Sequence, residues 1–548
     1  MSIACYRALV VLVLSLAIFP AMAARTCNTK IIAETPSSRY VIPGTSKLQC
    51  WGANANGQLG NATLGDFLTP VTVSGIGNAL ALGAGISHTC ALGLDRKIQC
   101  WGRNGEGQLG NGTTVDSFTP VSVAGISTAV GLAVGDQHSC ARLANGKVRC
   151  WGLNSNGQLG DDSTVNSSSS VAVTGIDGIN NIATAIATGG SHSCAVLSDG
   201  TVRCWGWNGK GQLGDGTLTQ SPIPVAVNGI DGINNIAIAV AAGGSHSCAR
   251  LSTGKVLCWG SNANGQLGSG NSTPQFTSPV SVTGIATAIS ITAGTGHSCA
   301  LLTDGAVKCW GLNADGQLGN GTTTDSLAPI TVNGIDGVNS VAVEIAAGGS
   351  HSCALLSDGT IKCWGLNAYG ELGTGDKASS TTPVTVSGIH NNASAIAAGE
   401  HHSCARLSTD TGTVLDAETG LMWKRCSEGQ TWDLVKEACV GDARTLSWQE
   451  ALQRAHDVNL LGKFGENLGY NDWRLPNRNE LISIIEYQCH TPATNSTIFP
   501  STAAAPYWSS SPSQSNAQRA WRVDFLDGRV NDALKTDGAD VRLIRGGQ

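Results

Sequence analysis

The string Cys-Trp-Gly-x-Asn-x-x-Gly-Gln-Leu-Gly recurs down this chain, beginning at Cys50, Cys100, Cys150, Cys204, Cys258, Cys309 and Cys363, with Glu371 replacing glutamine in the last copy. The spacings are 50, 50, 54, 54, 51 and 54 residues. Self-similarity at such a period means repeated units that bury their apolar faces against one another. The longer units carry Ile-Asp-Gly-Ile-Asn-Asn or Ile-Asp-Gly-Val-Asn-Ser ahead of the next unit, so the extra residues belong in loops.

A second element, His-x-Cys, ends at Cys90, Cys140, Cys194, Cys248, Cys299, Cys353 and Cys404. In "HSCALLSDGTIKCWG", residues 351–365, apolar residues flank Ser-Asp-Gly, a hairpin signal. A three-residue loop with Gly359 in the left-handed position sets Cys353 opposite Cys363, close enough for a disulfide. The same spacing predicts Cys90–Cys100, Cys140–Cys150, Cys194–Cys204, Cys248–Cys258 and Cys299–Cys309; the turn Leu94-Asp95-Arg96 alone lacks glycine. A metal site in each unit would need four convergent ligands, which His-x-Cys does not supply. The histidine repeated in each unit is expected to do one structural job, hydrogen-bonding a neighbouring turn. With 71 glycines, 13% charged residues and no long apolar-helical stretch in this part, the repeats read as strands and tight turns.

Two cysteines are left over. Cys50 has no preceding hairpin arm, and Cys404 has no return strand, since Val414 stands where its partner would be. If the repeats close into a ring, residues 44–52 complete the last hairpin and Cys50 bonds Cys404. Closure removes exposed sheet edges and yields a seven-bladed β-propeller; an open solenoid would hold these two cysteines far apart.

The first residues, "MSIACYRALVVLVLSLAIFPAMAARTC", carry Arg7, an apolar run from Ala8 to Phe19 and Ala21-Met22-Ala23, the pattern of a cleaved signal peptide. Export suits the disulfides, and removing Cys5 from the 19 cysteines leaves an even number. The apolar run is too short for a membrane span. A net charge of −6 argues against nucleic acid as a partner.

The repeats, for instance "AAGGSHSCALLSDGTIKCWGLNAYGELGTG", resemble those of the regulator of chromosome condensation (RCC1) family in its secreted, cysteine-containing bacterial form. The resemblance covers about 46–408. It implies a propeller closed by N-terminal strand exchange and used as a protein-binding platform; the family's founder exchanges nucleotide on a small GTPase, and a secreted relative inhibits β-lactamases. Beyond the ring, "TGTVLDAETGLMWKRC", "DWRLPNRNELISIIEY", "YWSSSP", "AWRVDFLDGRV" and "VRLIRGGQ" resemble the C-terminal domain of a Legionella collagen-like adhesin, also known as DUF1566. That resemblance implies an α+β fold similar to C-type lectin-like modules and an association with sulfated glycans.

The residues agree with an α+β pattern. Ser447 and Glu450 form a capping box ahead of Ala451, Leu452, Ala455 and Val458; Asn477 and Glu480 open a second helix with Leu481, Ile484 and Ile485 as its apolar stripe. Trp521, Val523 and Phe525 alternate before the turn Asp527-Gly528. Four cysteines, Cys27, Cys426, Cys439 and Cys489, permit three pairings; proximity favours Cys426–Cys439, leaving Cys27 free or tied to Cys489.

The expected organisation is a signal peptide over 1–23, a segment over 24–45, the propeller over 46–408 and the lectin-like domain over 409–548. No motif places a nucleophile or acid beside His390, His401, His456 or His490, no calcium loop is visible, and no cofactor or metal is expected. Positions that differ between repeats should face outward and select a partner. After Trp-Gly these are Ala53, Arg103, Leu153, Trp207, Ser261, Leu312 and Leu366; before the next glycine they are Asn56, Glu106, Asn156, Lys210, Asn264, Asp315 and Tyr369. Trp207, Tyr369, Arg103, Lys210, Glu106 and Asp315 are the candidate binding residues of the ring, because aromatic and arginine side chains anchor hot spots. Arg474, Arg542 and Arg545 could meet an anionic glycan, or could be structural arginines paired with internal acids. The sequence thus reads as an exported binding protein of adhesin or inhibitor type, with a protein or polysaccharide partner outside the cytosol. The alternatives are an extracellular polysaccharide lyase or hydrolase acting through the C-terminal domain and, third, a nucleotide exchange factor.

Overall fold

The computed structural model describes residues 40–41, 47–77, 79–338, 340–389, 392–407, 413–416, 419–433, 438–461, 472–485, 492–494 and 499–546. The expected signal peptide and Cys27, Cys489, His390 and His490 lie outside the described residues.

Each repeat forms one antiparallel four-stranded sheet, and seven such sheets follow one another. The second sheet is typical: Ala129–Val134, His138–Leu143, Val148–Gly152 and Ser167–Ala172 are paired in chain order. The first strand of each sheet packs against the first strand of the next, so these strands lie innermost, and the last returns to the first as Ala393–Ala398 meets Ala79–Ala84. This arrangement is a β-propeller. The seventh sheet is composite: Ala393–Ala398, His402–Leu407, then Lys47–Gly52 and Phe67–Thr72 from the start of the chain.

The hairpin register is the one the turn spacing dictates. Cys353 faces Cys363, and Cys50 faces Cys404 across the composite sheet. Disulfides join Cys50–Cys404, Cys90–Cys100, Cys140–Cys150, Cys194–Cys204, Cys248–Cys258, Cys299–Cys309 and Cys353–Cys363, with Cα atoms 4.0–4.1 Å apart. At the turn that lacks glycine, Arg96 holds φ of 60° where Gly146 and its counterparts sit near 80°.

Two hydrogen-bonded belts tie each sheet to the next. Each repeat tryptophan is buried and donates from Nε1 to the main-chain carbonyl of the preceding repeat's Gln58-type residue, as in Trp101 to Gln58 at 2.9 Å and Trp51 to Glu371 at 2.8 Å. Glycine is required beside it: a Cβ on Gly110, at φ 65°, would stand 2.7 Å from Trp151 Cδ1.

The second belt corrects the expected role of the histidines, which bond the neighbouring sheet and not a turn. Nε2 of His88, His138, His192, His246, His297 and His351 meets Oγ of Ser139, Ser193, Ser247, Ser298, Ser352 and Ser403 at 2.8–2.9 Å. His402 closes the circle on Thr89 at 2.7 Å. Because Ser193, Ser247, Ser298, Ser352, Ser403 and Thr89 give their hydroxyl hydrogen to a Gln158-type carbonyl, the imidazole facing each of them must be the donor, so its Nε2 carries the proton. Burial keeps these rings neutral, pushing His351 down to about 4 and the other six to about 3.

The C-terminal part combines helices Trp448–Leu461 and Arg478–Ser483 with antiparallel strands. Both predicted capping boxes are present: Ser447 N–H donates to Glu450 at 2.8 Å and Asn477 N–H to Glu480 at 2.7 Å. Val414, fully buried, lies in Thr413–Asp416, which pairs with Leu421–Lys424 and starts the new core with Trp423, Leu481, Phe499 and Tyr507. Tyr40–Val41 adds a strand beside Thr413–Asp416, so the chain's start joins both parts. Cys426 and Cys439 are disulfide-bonded.

Candidate functional site

The sheets position one continuous face. In every repeat the residue after Trp-Gly sits beside the residue before the histidine: Trp207 N–H donates to Ser191 O, Arg103 N–H to Ser87 O and Ala53 N–H to His401 O, at 2.8–2.9 Å. The repeated asparagine then freezes the following loop. Asn208 Oδ1 accepts Leu213 N–H at 3.0 Å, while its Nδ2 donates to the carbonyls of Thr217 and Thr219 at 3.2 and 3.0 Å. Fixed residues thus hold the loops from within, and the variable side chains are displayed on rigid backbone.

Arg103, Lys210 and Tyr369 are exposed; Trp207, Glu106 and Asp315 are half-buried on the same face. The Trp207 ring lies along Gly209, where a Cβ would be 2.8 Å from Cζ2. Glu106 accepts a hydrogen bond from Asn166 Nδ2 at 2.7 Å, which fixes its carboxylate. The expectation that all seven positions after Trp-Gly protrude is corrected for Ala53 and Ser261, which are 7% and 8% exposed. Leu153, Leu312 and Leu366 are half-buried.

At the centre of this face the innermost loops are hydrogen-bonded around the axis: Asp136 N–H to Gly189 O, Gly190 to Gly243, Gly244 to Gly294, Gly349 to Gly399 and Glu400 to Gly85, at 3.1–3.3 Å. The residues ringing this mouth are Ile86, Asp136, Gly190, Gly244, Thr295, Gly349 and Glu400. Glu400 reaches over Gly349 to accept Thr295 Oγ1–H at 2.9 Å, from the seventh sheet to the fifth. Burial, reinforced by the charge of Glu400, pushes Asp136 up to about 6. Sequence reasoning missed this pair, although aligning the repeats on their axial glycine would have exposed it as the acidic positions among glycines.

Beside the mouth lies a second group that the sequence did not assemble. Glu371 is wholly buried, and its Oε2 accepts Tyr369 N–H at 2.8 Å, the job done by glutamine in the other six repeats. Its Oε1 has no hydrogen bond and stands 3.7 Å from His401 Nδ1. The Tyr369 and His401 rings are 5.0 Å apart, and interaction with Glu371 holds the His401 imidazole above its ordinary pKa.

The arginines of the C-terminal part are engaged internally. Arg474 grips Glu480 through two hydrogen bonds of 2.7 and 2.8 Å, and Arg545 bonds Asp472 at 2.6 Å. Arg542 is corrected outright as a ligand-facing residue. It is completely buried, donates to the carbonyls of Lys424 and Arg425 and to Thr502 Oγ1, and lies 4.9 Å over the Phe499 ring. The guanidinium closes a core junction, and the apolar positions around it in "VRLIRGG" were the sign of burial. Among the described residues, no helix is long and apolar enough to cross a membrane.

Comparison with known proteins agrees with this geometry. RCC1 repeats match at 48–92, 98–142 and 145–196, an RCC1-like domain matches 172–431, and the Lcl C-terminal domain matches 412–545. The ultraviolet-B receptor UVR8 of Arabidopsis thaliana is 36% identical over 221 residues, 40% of this chain and 49% of that protein. The probable E3 ubiquitin-protein ligase HERC6 of Homo sapiens is 34% identical over 43% of this chain and 23% of its own length, so the chain spans about half or less of these relatives. Human WBSCR16 superposes with a TM-score of 0.60 at 22% identity, covering 66% of this chain and 99% of that one. Prp20p of Saccharomyces cerevisiae gives 0.59 at 23% identity, covering 69% and 94%. The structural likenesses carry the propeller fold and nothing more.

Proposed function

We propose that this is an exported binding protein whose seven sheets form the seven blades of a closed propeller, used as a platform for a protein or glycan partner. The carrying observation is the division of labour on the loop face, where the same asparagine, glutamine-type and glycine positions hold every loop rigid while Trp207, Tyr369, Arg103 and Lys210 differ at equivalent positions. Rigid loops bearing aromatic anchors lose little entropy on binding. Export is supported by the signal-like residues 1–23 and by disulfides, which suggest a non-cytosolic environment. That setting also speaks against nucleotide exchange on a cytosolic GTPase. The C-terminal domain is an adhesin-like, lectin-type module, a role supported by its match to the Lcl C-terminal domain.

The test is capture of surface proteins and polysaccharides by the full mature chain, repeated with Trp207→Ala/Tyr369→Ala. The expected result is a partner lost with the variant. Turnover of a polysaccharide by the full chain, with no partner dependent on Trp207 and Tyr369, would replace this reading with an enzymatic one.

A further inference from the structure

Two departures from the repeat meet at one point of the loop face. The residue before the belt histidine is serine, glutamine or glycine in six sheets and His401 in the seventh. The residue whose side chain accepts the loop N–H is glutamine in six repeats and Glu371 in the last, so the fold does not need a charge at either position. The two ionisable replacements nevertheless face each other across the boundary of the sixth and seventh sheets, with Glu371 Oε1 3.7 Å from His401 Nδ1.

Glu371 also joins this pair to a candidate binding residue. Its Oε2 holds the Tyr369 main chain at 2.8 Å, while the imidazole that its Oε1 faces lies 5.0 Å from the Tyr369 ring. The amide nitrogens of Gln158, Gln212 and Gln317 are likewise without a hydrogen bond, yet a neutral amide costs far less to leave unmet out of water than a carboxylate does. Glu371 is completely buried, and among the described residues its one ion-pair partner is the half-exposed His401. An imidazolium there answers the carboxylate and presents a cation to the Tyr369 ring; a neutral imidazole supplies no charge to either.

We propose that His401 and Glu371 form a pH-operated latch on Tyr369: the imidazolium, paired with the buried carboxylate, holds the aromatic ring in its binding position, and loss of the proton frees the ring. The proposal rests on the binding-face reading and adds the regulation of that face. The groups facing the imidazole are Glu371 from the sixth sheet, Glu400 from its own loop, and the belt rings of His351 and His402. Glu371, helped by Glu400, raises His401 above its ordinary 6.5 against the effect of burial. His351 and His402, at about 4 and 3, stay neutral throughout that range. With the folded value above the unfolded one, the latch is fully closed below pH 6.5 and opens as pH rises through the raised value.

The experiment follows the His401 ring by NMR of the full chain labelled with 13C-histidine and 13C-tyrosine, from about pH 5.5 to about pH 9. Loss of the signal in His401→Ser assigns it. The comparison is Glu371→Gln, and both variants install a residue that other repeats already carry at that position. The expected result is a His401 midpoint above 6.5 that falls in Glu371→Gln, and a Tyr369 ring that becomes more mobile above the wild-type midpoint. A wild-type midpoint at or below 6.5, one indifferent to Glu371→Gln, or a Tyr369 ring unchanged across it overturns the latch. Partner capture separates the two claims. A partner that depends on Trp207 and Tyr369 should be held about threefold more weakly above the midpoint, the size of an exposed cation–π contact. If it is held equally on both sides, the latch falls and the binding face stands. If no partner depends on those residues, the binding face falls and the titration still decides the His401–Glu371 pair.

Discussion

The Cys50–Cys404 bond should be worth more than any other disulfide in the ring, and the difference can be worked from chain length. It closes a loop of 354 residues' separation, whereas Cys194–Cys204 closes one of 10. Loop-closure entropy grows with the logarithm of loop size, which gives about 3 kcal/mol for the short ring and about 6 kcal/mol for the long one. The six hairpin bonds inside the long loop shorten its effective length by about a sixth, which changes the logarithm by only about a thirtieth of its value. Both pairs are buried and stand across the same position of equivalent sheets, so the packing lost with the sulfur atoms is alike. Cys50→Ala/Cys404→Ala should therefore lose about 3 kcal/mol more than Cys194→Ala/Cys204→Ala. Urea unfolding under non-reducing conditions, followed by the fluorescence of the buried repeat tryptophans, measures this directly. Equal losses, or a larger loss for the hairpin pair, would falsify the view that this bond locks the ring.

Acid should open the propeller through its histidine belt. The folded imidazoles sit near 3 to 4, below the unfolded 6.5, so the unfolded chain binds more protons below pH 6.5. Their contribution is complete above pH 6.5 and is lost as pH falls toward 3 to 4, at about 1.4 kcal/mol per imidazole per pH unit. Asp136 and Glu344, raised to about 6 and 7, act with the opposite sign but are outnumbered. Urea midpoints measured from pH 7 to 5 should fall steeply; a flat profile would contradict the buried neutral belt. Arg96→Gly should stabilise by up to about 1 kcal/mol, since it relieves a left-handed turn, and a lowered melting temperature would refute that reading. Arg542→Met should destabilise by about 3 kcal/mol or more by stranding the carbonyls of Lys424 and Arg425, and calorimetry showing no change would return Arg542 to the surface.

Periodicity, turn chemistry and cysteine spacing were local signals, and each is written in residues that touch their neighbours in sequence. They sufficed for the hairpins, for the capping boxes at Ser447 and Asn477, and for the inference that residues 44–52 return to pair with the last arm. Val414 illustrates the limit at the domain border: its sequence position told that the hairpin failed, while its complete burial with Trp423 and Phe499 shows which core it serves. Side-chain partners across the ring were not legible. His88 meets Ser139, Glu400 meets Thr295, and Arg542 meets the carbonyl of Lys424 over separations of 51, 105 and 118 residues. Repetition made each histidine recognisable as structural, but only the curvature of the closed ring could say that its partner is the next sheet. The sequence by itself therefore determined the repeating sheet, its disulfides and its closing strand, because register follows from spacing. The tertiary structure alone decided which variable residues protrude, which arginines are buried, and that carboxylates from distant repeats share one axial mouth, because those facts depend on how sheets pack around an axis.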